Sequence, residues 1–378
     1  MKWALPLVAV VLAVQAPAEP VSLDADLEEL CRQHDVPGMA AAVWLDGEIF
    51  AQGAGGVRKM GLSERVTVND KFNIGSCTKS ITATLAAVLV EQGVVRWDMT
   101  LAEAFPLWRA SMLPEWREVT LSMLLSHTAG LPMQTSDLAP EVGLKIDYTY
   151  LPRDQRASLT RQVLRKQKPL TTPGTQHHYS NVSYAIAGHL LEVKAGGKWE
   201  DLVRKYIYQP LGMATGGFGA AAYPGRIDQP WGHSENAGKP VPVPGGSHSD
   251  NPPSIGPAAT GHASTLDLLK YLVAHLQGQR AEPTAILQPA SWQELHTMHF
   301  PPHQYGYGWG LGPWGVMGAG TFGHDGTNTM NYTLVRVAPA RNAAVVINAN
   351  FASKEAQKAV YEMLDRITAR LNGPVARK

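Results

Sequence analysis

The feature that most constrains this chain is the placement of its strand and helix signals: strand patterns at both ends, helical ones between. Near the start, residues 39–44 and 48–53 flank Leu45-Asp46-Gly47, and Asp-Gly between two such runs is a strong hairpin signal. Near the end, residues 321–324, 330–337 and 343–349 read as three consecutive strands, the last two joined by Pro339-Ala340-Arg341-Asn342. Apolar spacing predicts helices over 22–34, 80–93, 119–126, 154–166, 183–194, 199–208, 264–277 and 353–371. Ser264-Thr265-Leu266-Asp267 reads as a capping box for the seventh of these helices. Hairpins outnumber strand–helix–strand crossovers. The expectation is an α+β fold, an α/β sandwich: one antiparallel sheet built from both chain ends and flanked by helices, with a mainly helical inserted region over roughly 95–260. Residues 214–260 are rich in Gly, Pro, Ala and Ser, and a loop of that length is expected to wrap the surface or wall a pocket.

Gly75-Ser76-Cys77-Thr78-Lys79 opens the 80–93 helix. Ser76 and Lys79 are three apart at a helix start, so both side chains reach one face. A serine hydroxyl needs a base beside it. A lysine serves only where burial or nearby positive charge makes its ammonium easy to deprotonate. The free N–H groups of the helix N-terminus suit a developing oxyanion. The motif alone is weak: 18 Ser and 15 Lys in 378 residues give about 0.7 chance matches. The plainer alternative is a capping serine and a solvated lysine.

Two further triplets raise the case. Tyr179-Ser180-Asn181, the sole Tyr-x-Asn, precedes the 183–194 helix. Tyr179 can act as general base or acid if Lys79 lowers its pKa, and Asn181 can bind Lys79 and a substrate carbonyl. The alternatives are a packed tyrosine and a helix cap by Asn181. His324-Asp325-Gly326-Thr327, with the sole His-x-Gly, ends a predicted strand. Gly326 would let substrate lie against that strand, and the Thr327 N–H would complete an oxyanion hole. The alternative is a polar turn.

Net charge is +1 and only 17% of residues are charged, so no bulk electrostatic case exists for nucleic acid. Cys31 and Cys77, the only cysteines, are read as buried apolar residues rather than a disulfide. No His-Glu-x-x-His spacing occurs and His177-His178 are adjacent, so neither metal nor cofactor is expected. Lys2, an apolar stretch over 3–14 and Ala16-Pro17-Ala18 read as a signal peptide over 1–18, leaving one domain over 19–378. A retained membrane anchor is the alternative. On the signal-peptide reading the mature chain is exported, periplasmic or secreted, with no stable membrane span.

Taken in this order, the three triplets resemble the serine hydrolases that group class C β-lactamases, D-alanyl-D-alanine carboxypeptidases, esterases and D-amino-acid amidases. Leu124-Leu125-Ser126-His127-Thr128-Ala129-Gly130-Leu131, Pro210-Leu211-Gly212-Met213 and Tyr305-Gly306-Tyr307-Gly308-Trp309 support the resemblance. It implies a β-lactamase/transpeptidase-like fold, Ser76 as nucleophile, and Lys79 with Tyr179 as the proton-transfer pair. It also implies a small-molecule or peptide acyl substrate. His324 would stand where the family has Lys-Thr-Gly or His-x-Gly. Two further matches are set aside: Ser249-Asp250-Asn251 as a turn, and Lys194-Ala195-Gly196 as a helix end. Classical class C enzymes carry lysine and threonine where this chain has His324 and Asp325. A partly charged histidine, and an aspartate if it faces the pocket, disfavour a substrate carboxylate. That argues for an esterase, or a peptidase or amidase for D-residue substrates. The alternatives are a true β-lactamase, or a penicillin-binding protein without efficient turnover. Whether Asp325 faces the pocket or forms a surface pair stays open at this point.

Overall fold

The strand signals at the two ends of the chain meet in one sheet. A computed structural model describes residues 19–143, 151–246, 249–313 and 317–372; the expected signal peptide lies outside them. The chain begins with β1 (Val21–Ser22), α1 (Asp24–Gln33), the hairpin β2 (Gly38–Leu45) and β3 (Glu48–Gly56), then β4 (Lys71–Asn73). Helices α2 (Thr78–Glu91), α3 (Leu101–Ala104), α4 (Leu121–Leu125), α5 (Pro152–Lys166), α6 (Asn181–Ala195) and α7 (Trp199–Val203) follow. Next come β5 (Gly217–Phe218), β6 (His233–Asn236), β7 (Lys239–Pro242), α8 (Gly256–Ala259) and β8 (Gly261–Ser264). The chain closes with α9 (Thr265–Gln279), α10 (Pro289–Leu295), β9 (Gly310–Gly312), β10 (Thr321–Thr327), β11 (Tyr332–Ala338), β12 (Ala343–Ala349) and α11 (Lys354–Asn372).

The main sheet has seven strands in the order β1-β3-β2-β12-β11-β10-β9. Its seam joins β2 to β12, with Ala42 opposite Val346. Pairing is antiparallel throughout except at β1, which runs parallel to β3. The β12 run Ala-Ala-Val-Val-Ile is continuous rather than alternating because both faces of the sheet are covered. Val345 and Ile347 pack with Leu27 and Leu30 of α1 and Val360 and Met363 of α11. Ala344 and Val346 turn the other way, into the core formed by α9, α2 and the helical region.

The helical insert is present, but 214–260 is more than a loop. It carries β5, which pairs with β8 in a second sheet of order β4-β8-β5, and the β6–β7 hairpin. Single strands this short are invisible to periodicity, because they hold no full alternation. The Ser264 box is half formed: Ser264 Oγ accepts the Asp267 N–H at 3.2 Å. The Asp267 carboxylate turns instead to Thr215, accepting its N–H and hydroxyl at 2.6 Å each. The Lys194-Ala195-Gly196 match ends α6 as expected, with Gly196 left-handed at φ 71°. Arg156 of α5, fully buried, holds Glu192 of α6 at 2.5 Å and Glu200 at 2.9 Å. Losing one partner of such a buried group strands a charge, so this clamp fixes α6, whose first residue is Asn181.

Candidate active site

Helix α2 is buried on nearly every side, which suits its run of Ile81, Ala83, Leu85, Ala86, Ala87 and Leu89. From residue 72 to residue 89, only Ser76 is not buried. It sits in a single 3₁₀ turn, Gly75–Cys77, between β4 and α2. Gly75 has φ 48°, and a Cβ there would overlap the Thr327 backbone. Gly326 opposes it: a Cβ would overlap the Ile74 carbonyl oxygen and lie 2.9 Å from Ser76 N. The sequence reading gave Gly326 to substrate clearance. The structure assigns it to the approach of β10 onto the Ser76 turn. Gly326→Ala is therefore expected to push β10 from Ser76 and lower kcat about 10²-fold, the scale for a 1 Å misplacement. Steady-state kinetics alongside a melting curve checks this; unchanged kcat in the folded variant would show that the turn absorbs the methyl group.

Lys79 is fully buried. Its Nζ lies 3.0 Å from Ser76 Oγ, 2.6 Å from Asn181 Oδ1 and 3.1 Å from the Ala258 carbonyl oxygen. Two of these partners only accept hydrogen bonds. A neutral amine donates its two protons to them and points its lone pair at the Ser76 hydroxyl. Burial drives the Lys79 pKa well below 10.5, which is the state this geometry wants.

The Tyr179 phenol hydrogen-bonds with Ser76, and Lys79 Nζ lies 4.6 Å from its ring centroid. The expectation that Lys79 lowers the phenol pKa is wrong. Burial raises it, and the hydrogen bond with Ser76 only partly opposes this. A neutral Lys79 supplies no charge to do otherwise. Tyr179 is thus a protonated phenol that can pass a proton, not a resting phenolate.

Asn181 is not the helix cap. Ser180 is, accepting the Ser183 N–H at 3.0 Å. That frees the Asn181 side chain: Oδ1 takes the Lys79 proton, and Nδ2 donates to Gln134 Oε1 at 2.9 Å. The motif around His127 braces the Tyr179 segment. His127 has φ 61°; its carbonyl accepts the His178 N–H at 2.7 Å and its Nδ1 accepts the Ser180 N–H at 3.0 Å. Its ring lies 4.4 Å from that of Tyr179. Burial holds His127 well below its ordinary pKa and neutral.

His324 lies on the same side as Tyr179, ring centroids 6.2 Å apart. Its Nδ1 donates to the Asp325 carbonyl at 2.6 Å, leaving Nε2 to accept the Tyr305 hydroxyl at 3.1 Å. Burial brings its pKa down to about 4. Asp325 borders the same cleft, about 370 Å³, yet its charge is taken up. Oδ1 accepts Arg336 at 2.6 Å; Oδ2 accepts the hydroxyls of Tyr332 at 2.7 Å and Tyr361 at 2.5 Å. Burial alone would raise this carboxyl, but Arg336 outweighs it and the pKa falls below 3.8. The argument that Asp325 repels a carboxylate therefore fails. Strand β9 pairs only with Thr321 to Gly323 of β10, so among the described residues no strand pairs with His324 to Thr327 on that side, where the Ser76 turn approaches Gly326 and Thr327.

The structure thus brings together Ser76, Lys79, Tyr179, Asn181, His324, Gly326 and Thr327. Sequence reasoning missed Gln134 and the Ala258 carbonyl, which no motif marks. It quoted His127 and Tyr305 without giving them a task. Cys31 and Cys77 are buried free thiols. Cys77 Sγ lies 3.6 Å from the His324 carbonyl.

A serine beside a buried lysine, on a mixed sheet with a helical insert, is an arrangement suited to a serine hydrolase. The family comparison agrees: the sequence profile of the Beta-lactamase family matches residues 23–369, and the chain belongs to that family. It is 30% identical over 339 residues to penicillin-binding protein 4 of Amycolatopsis lactamdurans, covering 85% of this chain and 83% of that one. It is 27% identical over 303 residues to a β-lactamase of Pseudomonas fluorescens, covering 78% and 75%. The fold matches D-amino acid amidase from Ochrobactrum anthropi SV3 with TM-score 0.70 at 23% identity, over 92% of this chain and 96% of that one.

Proposed function

We propose that the protein is an exported acyl-transfer hydrolase in which Ser76 is the nucleophile. Ser76 Oγ attacks the substrate carbonyl carbon while its proton passes to the neutral Lys79 amine. The tetrahedral oxyanion sits between the backbone N–H groups of Ser76 and Thr327. As it collapses, the bond to the leaving group breaks, and the Tyr179 phenol gives that group a proton. The Lys79 ammonium, whose Nζ lies 4.6 Å from the Tyr179 ring centroid, returns the proton it took from Ser76 to the phenolate, which restores both groups. Water then attacks the acyl-enzyme by the same path and releases the acid. Asn181 holds Lys79 and, with Gln134, offers amide hydrogens to a substrate carbonyl.

The observation that carries this reading is the environment of Lys79: full burial, two carbonyl acceptors, and the Ser76 hydroxyl as third neighbour. The preferred substrates are esters or D-residue amides and peptides. His324, neutral at pH 7, gives a β-lactam carboxylate no charge to bind, and this holds even though Asp325 is neutralised. That same neutralisation keeps β-lactam turnover as the second reading.

Purified mature protein tested on p-nitrophenyl butyrate, nitrocefin and a D-alanyl anilide separates the two. Ester or D-anilide turnover without nitrocefin supports the first reading, and fast nitrocefin turnover supports the second. Tyr179→Phe is expected to reduce kcat roughly 10²- to 10⁴-fold on any substrate turned over; a drop under about tenfold removes it from proton transfer.

A further inference from the structure

Ser249-Asp250-Asn251, read from sequence as a turn, folds in behind the site. Asp250 is only 8% exposed. Its Oδ1 accepts two amide hydrogens, from Asn73 Nδ2 at 2.7 Å and Asn328 Nδ2 at 3.1 Å. Asn73 ends β4, and its own Oδ1 accepts the Gly75 N–H at 2.8 Å, one residue before Ser76. Asn328 directly follows Thr327. Its Oδ1 accepts the N–H groups of Met330 at 3.2 Å and Asn331 at 2.9 Å, which fixes the turn leaving β10. One carboxylate oxygen therefore joins the two segments that carry the Ser76 and Thr327 N–H groups. Where those segments touch directly, at Gly75 and Gly326, the fit is steric.

We propose that Asp250 is a positioning residue: its carboxylate sets the spacing between the Ser76 turn and the end of β10, and so the shape of the oxyanion site. This rests on the assignment of Ser76 and Thr327 above. A bracket with one shared acceptor has a geometric consequence. Its two amides cannot shift independently, so the donors on either side keep a fixed separation as charge develops between them. Burial has pushed the Asp250 carboxyl up to about 7, so the fold keeps this group against a desolvation cost. Such a cost at a position two hydrogen bonds from the nucleophile turn, through Asn73, is expected of a group retained for function.

The test compares wild type with Asp250→Ala, Asp250→Asn and Asn328→Ala. Two quantities are read: the rate of Ser76 labelling by a fluorophosphonate probe, and kcat and KM on p-nitrophenyl butyrate. Asp250→Ala is expected to slow labelling and kcat about 10- to 100-fold, with KM changed less than about threefold. Asp250→Asn keeps an acceptor for both amides and is expected to stay within about fivefold of wild type. Asn328→Ala removes one arm and is expected to lose less than Asp250→Ala. Added to Asp250→Ala it should cost little more, because both act through one link. Wild-type labelling and kcat in folded Asp250→Ala would overturn the proposal alone. Should that variant not fold, wild-type rates in Asn328→Ala do the same. Absence of labelling in wild type would instead overturn Ser76 as nucleophile, and this proposal with it.

Discussion

Ser76→Ala is expected to abolish turnover, a loss on the order of 10³ to 10⁶ in kcat, and to leave the fold intact. The hydroxyl is the one side-chain group between residues 72 and 89 that is not buried. Its neighbours, Lys79 and Tyr179, are held by other contacts: Asn181 and the Ala258 carbonyl for the first, the His127 ring for the second. Removing one oxygen therefore deletes the reacting atom without opening the core. The check is kcat on the best substrate of the three-substrate comparison, with a melting curve and fluorophosphonate labelling alongside. Wild-type-like turnover would refute the nucleophile assignment, whichever substrate is used.

The second large effect is expected for Lys79→Met, which matches the length of the side chain and removes its lone pair. Turnover should fall on the order of 10³- to 10⁵-fold, while stability at neutral pH is kept or improved. The sign follows from linkage. In the unfolded chain Lys79 titrates near 10.5; in the folded protein burial moves that titration well lower. Between the two pKa values the unfolded chain binds the extra proton. The stability this group contributes is therefore complete above about 10.5 and is lost as pH falls toward the folded pKa. At neutral pH the wild-type lysine is thus a cost, accepted at a reactive site. Methionine abolishes that pH dependence. The same shift predicts that wild-type kcat/KM declines as acid protonates Lys79 and takes away the base. Denaturant unfolding of both proteins at several pH values checks the first statement. A Lys79→Met variant much less stable than wild type at pH 7 would mean that the three Nζ contacts outweigh the buried amine.

The fold was largely legible because its signals are local. The Asp46-Gly47 hairpin, the three closing strands and the amphipathic spacing of α1 and α11 each follow from a few consecutive residues. What escaped were elements whose reason lies elsewhere in the chain. Strand β5 holds two residues, defined by its partner β8 rather than by any period. Asp267, which completes a capping box on paper, turns to Thr215 because that loop offers both an N–H and a hydroxyl.

The site divides in the same way. The triplets at Ser76, Tyr179 and His324 named the reacting groups, since catalysis fixes residue type and spacing near each. Protonation states were not legible. They depend on burial, and burial of Lys79, Tyr179 and His324 exists only after β10, α2 and the segment before α6 have packed together. The same packing reversed the expected shift of the Tyr179 phenol and neutralised Asp325 against Arg336, eleven residues on but next door across two strands. Sequence alone thus determined which side chains are available for chemistry and on which elements they stand. Only the tertiary structure decided their charge, their donors and the spacing of the oxyanion groups, because desolvation and hydrogen-bond geometry belong to atoms distant in the chain.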